Sequence, residues 1–223
     1  MKLYDRLLNE TSAEKDYLMS APIIQKCFTG DINQHDYIGF LSQAFHHVKH
    51  TVPLLMAVGT RLSDSQEWIR EAVAEYIEEE IGHQEWILND IKAAGGNKEQ
   101  VRNSQPAFET ELMVSYAYDL VNRTNPLGFF GMVHVLEGTS VAVADNAAES
   151  IQQALALPNS AFTYLRSHGA IDLEHVKFFE ELMNKIEDKP SQDLIVNSAK
   201  KFYRLYADIF RHLGKTLTLE KAA

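Results

Sequence analysis

The sequence predicts an all-α fold, and three observations carry that reading. Apolar residues recur at helical spacing, as in Tyr37, Phe40, Leu41, Ala44, Phe45 and Val48, the pattern of a helix with one buried face. The punctuation between such segments, Pro22, Gly30, Gly95-Gly96-Asn97, Pro106, Asn125-Pro126, Pro158 and Pro190, consists of residues that stop or start helices. Alternating runs bounded by hairpin dipeptides are nearly absent, which removes the signature of strands. With no internal repeat, low-complexity segment or linker, residues 1–223 read as one domain, a bundle of about seven helices.

Taken in order, residues 2–20 carry Leu3, Leu7, Leu8, Tyr17 and Leu18 as an amphipathic helix, followed by a short apolar piece from Pro22 to Gly30. Asp31 or Asn33 can cap a long helix reaching Arg61. Pro53 lies inside it and denies the Lys49 carbonyl its hydrogen bond, so a kink is expected there. A third helix opens at Ser63 or Ser65 and reaches Ala94, where the Gly-Gly-Asn stop follows. A fourth covers about 107–123, a fifth runs from Asn125-Pro126 to Leu155, a sixth ends near Asp188-Lys189-Pro190, and a last one spans Gln192 to Leu213.

Composition narrows the function. Lys and Arg number 21 against 31 Asp and Glu, a formal net charge of -10, which disfavours nucleic acid and anionic membranes because few cations are available to displace phosphate counterions. No recognition helix with clustered Arg and Lys is visible, against a transcriptional regulator. No run of about 18 apolar residues suggests a membrane span, and the first ten residues do not read as a signal peptide. Cys27 is the only cysteine; an internal disulfide is impossible, and a reducing cytoplasm is the expected home.

Three clusters carry chemistry. On a helix through residues 163–180, His168, Asp172 and His175 fall at i, i+4 and i+7, so they project from one stripe. Two imidazoles and a carboxylate suit a divalent first-row ion, iron or manganese above all; the other reading is a solvated face. The run Glu75-Tyr-Ile-Glu78-Glu79-Glu80-Ile-Gly-His83 places Glu80 at i, i+3 from His83, with Glu79 at i, i+4 as its rival. Such Glu-x-x-His units supply ligands in carboxylate-bridged bundles, although acidic runs are often merely exposed. Glu137 stands in the apolar stretch from Phe129 to Ala144, where a carboxylate must be paired, neutralised or bound to metal. His134, one turn away, reads as a packing or supporting residue.

The order Glu80-x-x-His83, Glu137, His168-x-x-x-Asp172-x-x-His175, each part on its own core helix, resembles the haem-oxygenase-like di-iron oxidases, within the wider superfamily of thiaminase II and pyrroloquinoline-quinone synthase. The likeness covers nearly the whole chain. It implies a haem-oxygenase-like helical bundle in which Glu80, His83, Glu137, His168, Asp172 and His175 hold one or two irons. It further implies dioxygen acting on a small organic substrate and a homodimer. Some members space the first Glu and His seven apart, which would demand a carboxylate at Tyr76. Thiaminase II relatives use a cysteine in the fifth helix, and this chain has only Cys27. Haem oxygenase takes its haem-ligating histidine from the first helix, and residues 2–20 contain none.

The run Phe45-His46-His47-Val-Lys-His50 completes the candidates. His46 and His50 share a face, and the functional reading makes them substrate-positioning groups or proton donors; the other reading is core or surface histidines. No phosphate-cradling glycine loop is present, so electrons would come from the substrate or from outside. A metal-free small-molecule binding protein or cofactorless enzyme of the same superfamily is the alternative.

Overall fold

The computed structural model describes the backbone of residues 1–220 and the side chains of residues 1–167 and 175–214. Among the described residues there are twelve α-helices and no strand: α1 (Leu3–Glu10), α2 (Ser12–Met19), α3 (Pro22–Thr29), α4 (Gln34–Val48), α5 (Thr51–Arg61), α6 (Glu67–Glu80), α7 (His83–Ala93), α8 (Lys98–Arg102), α9 (Phe108–Asp119), α10 (Phe129–Leu155), α11 (Thr163–Asn184) and α12 (Lys189–Glu220).

The helix ends follow the expected chemistry. Asn33 caps α4 in a reciprocal box with Asp36, satisfying two orphan N–H groups. Gly95, at φ 86°, closes α7, with the Gly96 N–H donating to the Ile91 carbonyl and the Gly95 N–H to that of Lys92, a Schellman stop. Asn125 and Pro126 open the turn that leads into α10.

The excess over seven helices arises from breaks inside the expected segments. Residues 2–20 divide at Thr11, whose hydroxyl donates to the Leu7 carbonyl. The kink expected at Pro53 is a full break four residues upstream. The helix stops at Val48, and α5 restarts at Thr51 with Pro53 in its first turn, where a missing N–H costs nothing. Pro190 likewise lies in the first turn of α12 instead of ahead of it.

The third break matters most for function. Gly82, at φ 97°, separates α6 from α7, so Glu80 closes one helix and His83 opens the next; they do not share a helix face as the spacing suggested. An added Cβ at Gly82 would meet nothing within 4 Å, so Gly82→Ala bears only the left-handed penalty. We expect a loss of about 1–2 kcal/mol, read as a lower urea midpoint.

Helix α10 is the axis of the molecule, packed against α11 and α12. Its first half, including Phe129, Phe130, Met132 and Val135, belongs to one buried cluster with α1, α5, α6, α9 and α12. Its second half, through Ala144, Ala148 and Ile151, belongs to another with α4 and α7. Residues Pro126–Leu155 are long and apolar enough to cross a membrane, although no unbroken apolar run marks them; 61% of the most apolar window is buried inside the protein. Close approach to α12 is possible because residue 131 is glycine: an added Cβ would lie 2.6 Å from the Ala199 nitrogen and 2.9 Å from the Ile195 carbonyl oxygen.

Candidate metal centre

Helices α6, α7 and α11 bring four acidic and imidazole side chains together as two carboxylate–imidazole pairs. His83 Nδ1 lies 3.0 Å from Glu80 Oε2, and His175 Nε2 lies 3.1 Å from Glu79 Oε2. The first pair bridges the Gly82 break; the second joins α6 to α11 across the bundle. The two glutamates therefore divide the work, Glu80 toward His83 and Glu79 toward His175. Such a carboxylate contact on one ring nitrogen orients a metal-binding imidazole and sets its tautomer. The His83 ring also packs against Trp86, centroids 4.1 Å apart, and the imidazole is buried.

Glu80 and Glu137 line one cavity, together with Tyr76, Thr51, His47 and the apolar side chains Leu55, Met132 and Leu136. Glu137 also borders a neighbouring cavity with Tyr4 and His134. Tyr76 stands one turn before Glu80 and packs edge-on against Phe178 of α11, centroids 5.4 Å apart. Burial raises its phenol's pKa, and the charges of Glu137, Glu79 and Glu80 raise it further. That response places all three carboxylates within electrostatic reach of one hydroxyl, which stays protonated and able to donate.

The register between α7 and α11 is set by Asp90. Its fully buried carboxylate accepts the Tyr164 N–H at 2.7 Å, satisfying an orphan donor in the first turn of α11. Burial raises its pKa, opposed by that backbone N–H.

The side chains of His168 and Asp172, on α11, lie outside the described residues. Among the described residues, no three His, Cys, Asp or Glu side chains stand close enough to hold a metal ion. The donor set nevertheless fits iron in kind: carboxylate oxygens and imidazole nitrogens, with the lone thiol of Cys27 in the wall of a different cavity.

A model of the family described as iron-containing redox enzyme, with the haem-oxygenase-like fold, matches residues 38–207. The chain belongs to this iron-containing redox enzyme family.

The helical fold agrees. A domain of unknown function with a haem-oxygenase-like fold from Shewanella denitrificans superposes with a TM-score of 0.90 at 22% identity, over 98% of this chain and 94% of that one. A TenA homologue from Pseudomonas syringae gives 0.79 at 12% identity, over 96% and 93%. Haem oxygenase-1 from the cyanobacterium Synechocystis, solved with haem, gives 0.78 at 11%, over 100% and 96%. At such identities the likeness speaks for the fold alone. No curated protein matches in sequence.

In this member of the family, His46 and His47 of α4 and His50, which follows that helix, divide differently from the expectation. His46 Nε2 meets Ser104 Oγ at 2.9 Å and its Nδ1 faces Lys49 Nζ at 3.4 Å; His50 Nδ1 meets the Tyr118 hydroxyl at 3.1 Å. Neither lines the cavity of Glu80 and Glu137, whereas His47 does, edge-on to Tyr206 with centroids 5.8 Å apart. Sequence reasoning thus kept His47 in the histidine run but settled on its neighbours, and passed over Tyr76 as a residue of the cavity wall. The available signals were Tyr76's position one turn from Glu80 and His47's place between two histidines on a mostly apolar helix.

Two buried imidazoles impose a pH dependence on folding. Burial, then Lys49 and His50, hold His46 down to about 4. Burial and Lys15 hold His134 down to about 4 as well. The unfolded chain takes up these protons near 6.5, while the folded chain takes them up only near 4. Their contribution is therefore fully present above about pH 6.5 and is lost as pH falls toward 4, by up to about 3 kcal/mol for each. We expect the urea midpoint to drop between about pH 7 and about pH 4.5, and His46→Gln to flatten that slope; an unchanged midpoint contradicts the expectation.

Proposed function

We propose that this protein is a non-haem iron oxidase or oxygenase, with a di-iron centre, that uses dioxygen on a small organic substrate. The observation that carries the proposal is the convergence of Glu80 and Glu137 on one interior cavity, flanked by the Glu80–His83 and Glu79–His175 pairs, in a chain of an iron-containing redox enzyme family. Glu80, His83, Glu137, His168, Asp172 and His175 would hold the iron, and Glu79 would orient His175. Bound iron supplies the electron-transfer chemistry with dioxygen that amino-acid side chains lack.

The remaining roles belong to the chain itself. Tyr76, kept protonated by burial and its acidic neighbours, donates a hydrogen bond into the cavity, and His47 faces the substrate from α4. Leu55, Phe129, Met132 and Leu136 exclude water, which strengthens each electrostatic contact inside. His46 and His50 support α4 through Ser104 and Tyr118 and act on the site only by holding that helix. The reading includes a homodimer in a reducing cytoplasm; Phe108 and Leu112, exposed one turn apart on α9, offer an apolar patch for self-association.

A metal-free pocket protein is the second reading. It is favoured by the Glu80–His83 and Glu79–His175 contacts, which pair these two carboxylates and imidazoles without a cation. Oxygen uptake separates the two. Anaerobic protein reconstituted with ferrous iron takes up dioxygen in a burst proportional to protein on the first reading, and shows none above free ferrous iron on the second.

A further inference from the structure

Beside the cavity of Glu80 and Glu137 lies a second one, walled by side chains that include Ile24, Ile32, Phe40, Val143, Ala147 and Ile151. The two share Ser140, Tyr164 and Tyr206, so they are neighbours along α10. That helix lines both with one stripe. Leu136 and Ser140 face the polar cavity, and Ser140, Ala144, Ala147 and Ile151 continue along the apolar one, at the three- and four-residue steps that keep side chains on one face. The small residues along this stripe leave the space unfilled. The outer end lies beside Phe28 of α3, 42% exposed.

One polar group in this wall is unspent. The Thr139 hydroxyl is buried, the residue only 4% exposed, and it has no hydrogen-bond partner. A helical threonine ordinarily bonds back to a carbonyl one turn earlier, as Ser140 does to Leu136. A buried hydroxyl left without a partner is costly, and Thr139 is adjacent in sequence to Ser140, at the junction of the two cavities.

We propose that the two cavities form one binding site for an amphiphile: an unbranched aliphatic chain lies along α10 toward Phe28, and an uncharged oxygen at its head meets Thr139 at the junction. The head then points at the cavity of Glu80 and Glu137. That the amphiphile is a substrate rests on the iron-oxidase reading; that it binds does not.

The test is calorimetric titration of the full-length protein, anaerobically, with straight-chain alcohols from hexanol to dodecanol, in iron-loaded and in chelated samples. Affinity rises about fourfold per methylene, in both samples. Ala147→Phe, at a half-buried position in the wall, cuts this rise off at a shorter chain. Thr139→Val, which keeps shape and removes only the hydroxyl, weakens every alcohol by one common factor of about 2–12 and leaves the chain-length slope intact. Affinity independent of chain length overturns the proposal, as does an unaltered series in a folded Ala147→Phe protein. Unchanged or tighter binding in Thr139→Val overturns the placement of the head. Because the chelated sample is read separately, a failure of the iron reading leaves this result standing, and a failure here leaves iron binding untouched.

Discussion

We expect Glu80→Gln to abolish iron-dependent oxygen uptake and Glu79→Gln to retain a measurable part of it. Both residues end α6 and both face a histidine, yet only Glu80 lines the cavity that Glu137 lines; Glu79 instead contacts the far nitrogen of His175. Loss of a supporting contact around a metal ligand costs about 10–100-fold in affinity or activity, so loss of a direct ligand costs more than about 100-fold by the same scale. The check is anaerobic ferrous iron titration of the two variants beside the unmodified protein. Equal loss in both contradicts the division of labour between the glutamates, and a greater loss for Glu79→Gln reverses it.

The second large effect is on stability. Gly131→Ala lowers the unfolding free energy by about 3 kcal/mol or more, because the new methyl group must enter a contact already closed by backbone. Its Cβ would lie 2.6 Å from the Ala199 nitrogen and 2.9 Å from the Ile195 carbonyl oxygen, and would overlap Ser198 Oγ. That hydroxyl lies within hydrogen-bond distance of the Gly128 carbonyl at 2.7 Å and of the Ile195 carbonyl at 2.9 Å, so displacing it disturbs the contact between α12 and the turn that opens α10. Gly138→Ala on the same helix is the control: nothing lies within 4 Å of its added Cβ, and alanine in a helix interior is worth about 0.5–1 kcal/mol over glycine. Urea midpoints should move in opposite directions for the two substitutions.

Much of the architecture was legible because it is written in local chemistry. Asn33 with Asp36, Gly95-Gly96 and Asn125-Pro126 each satisfy or terminate backbone hydrogen bonds within a few residues, so their reading needs no knowledge of the rest of the chain. That Glu137 faces the interior was legible for a different reason: an acid among apolar neighbours has few places to go.

What escaped depends on helix rotation and on partners distant in sequence. The Gly82 break sits in a charged run that reads as continuous helix, and tertiary packing overrode that pattern. Which of His46, His47 and His50 faces the cavity is decided by how α4 and the turn after it sit against α9, α12 and the loop after α8, set by Ser104, Tyr118 and Tyr206, none of them near in sequence. The pairing of Glu79 with His175 spans α6 to α11, and nothing within either helix announces it. Cys27 stands near the start of the chain, and burial pushes its thiol up to about 12, so little thiolate is present near neutral pH.

The central claim is that iron is held by Glu80, His83, Glu137, His168, Asp172 and His175. The measurement that tests it most directly is iron per chain after anaerobic reconstitution with ferrous iron and removal of unbound metal, in the unmodified protein, Glu137→Ala and His168→Ala. The expected result is about two irons per chain, as in carboxylate-bridged bundles, lost in both variants while their helical circular dichroism is retained. Protein that binds no iron specifically, or that binds it equally well in both variants, would contradict the claim.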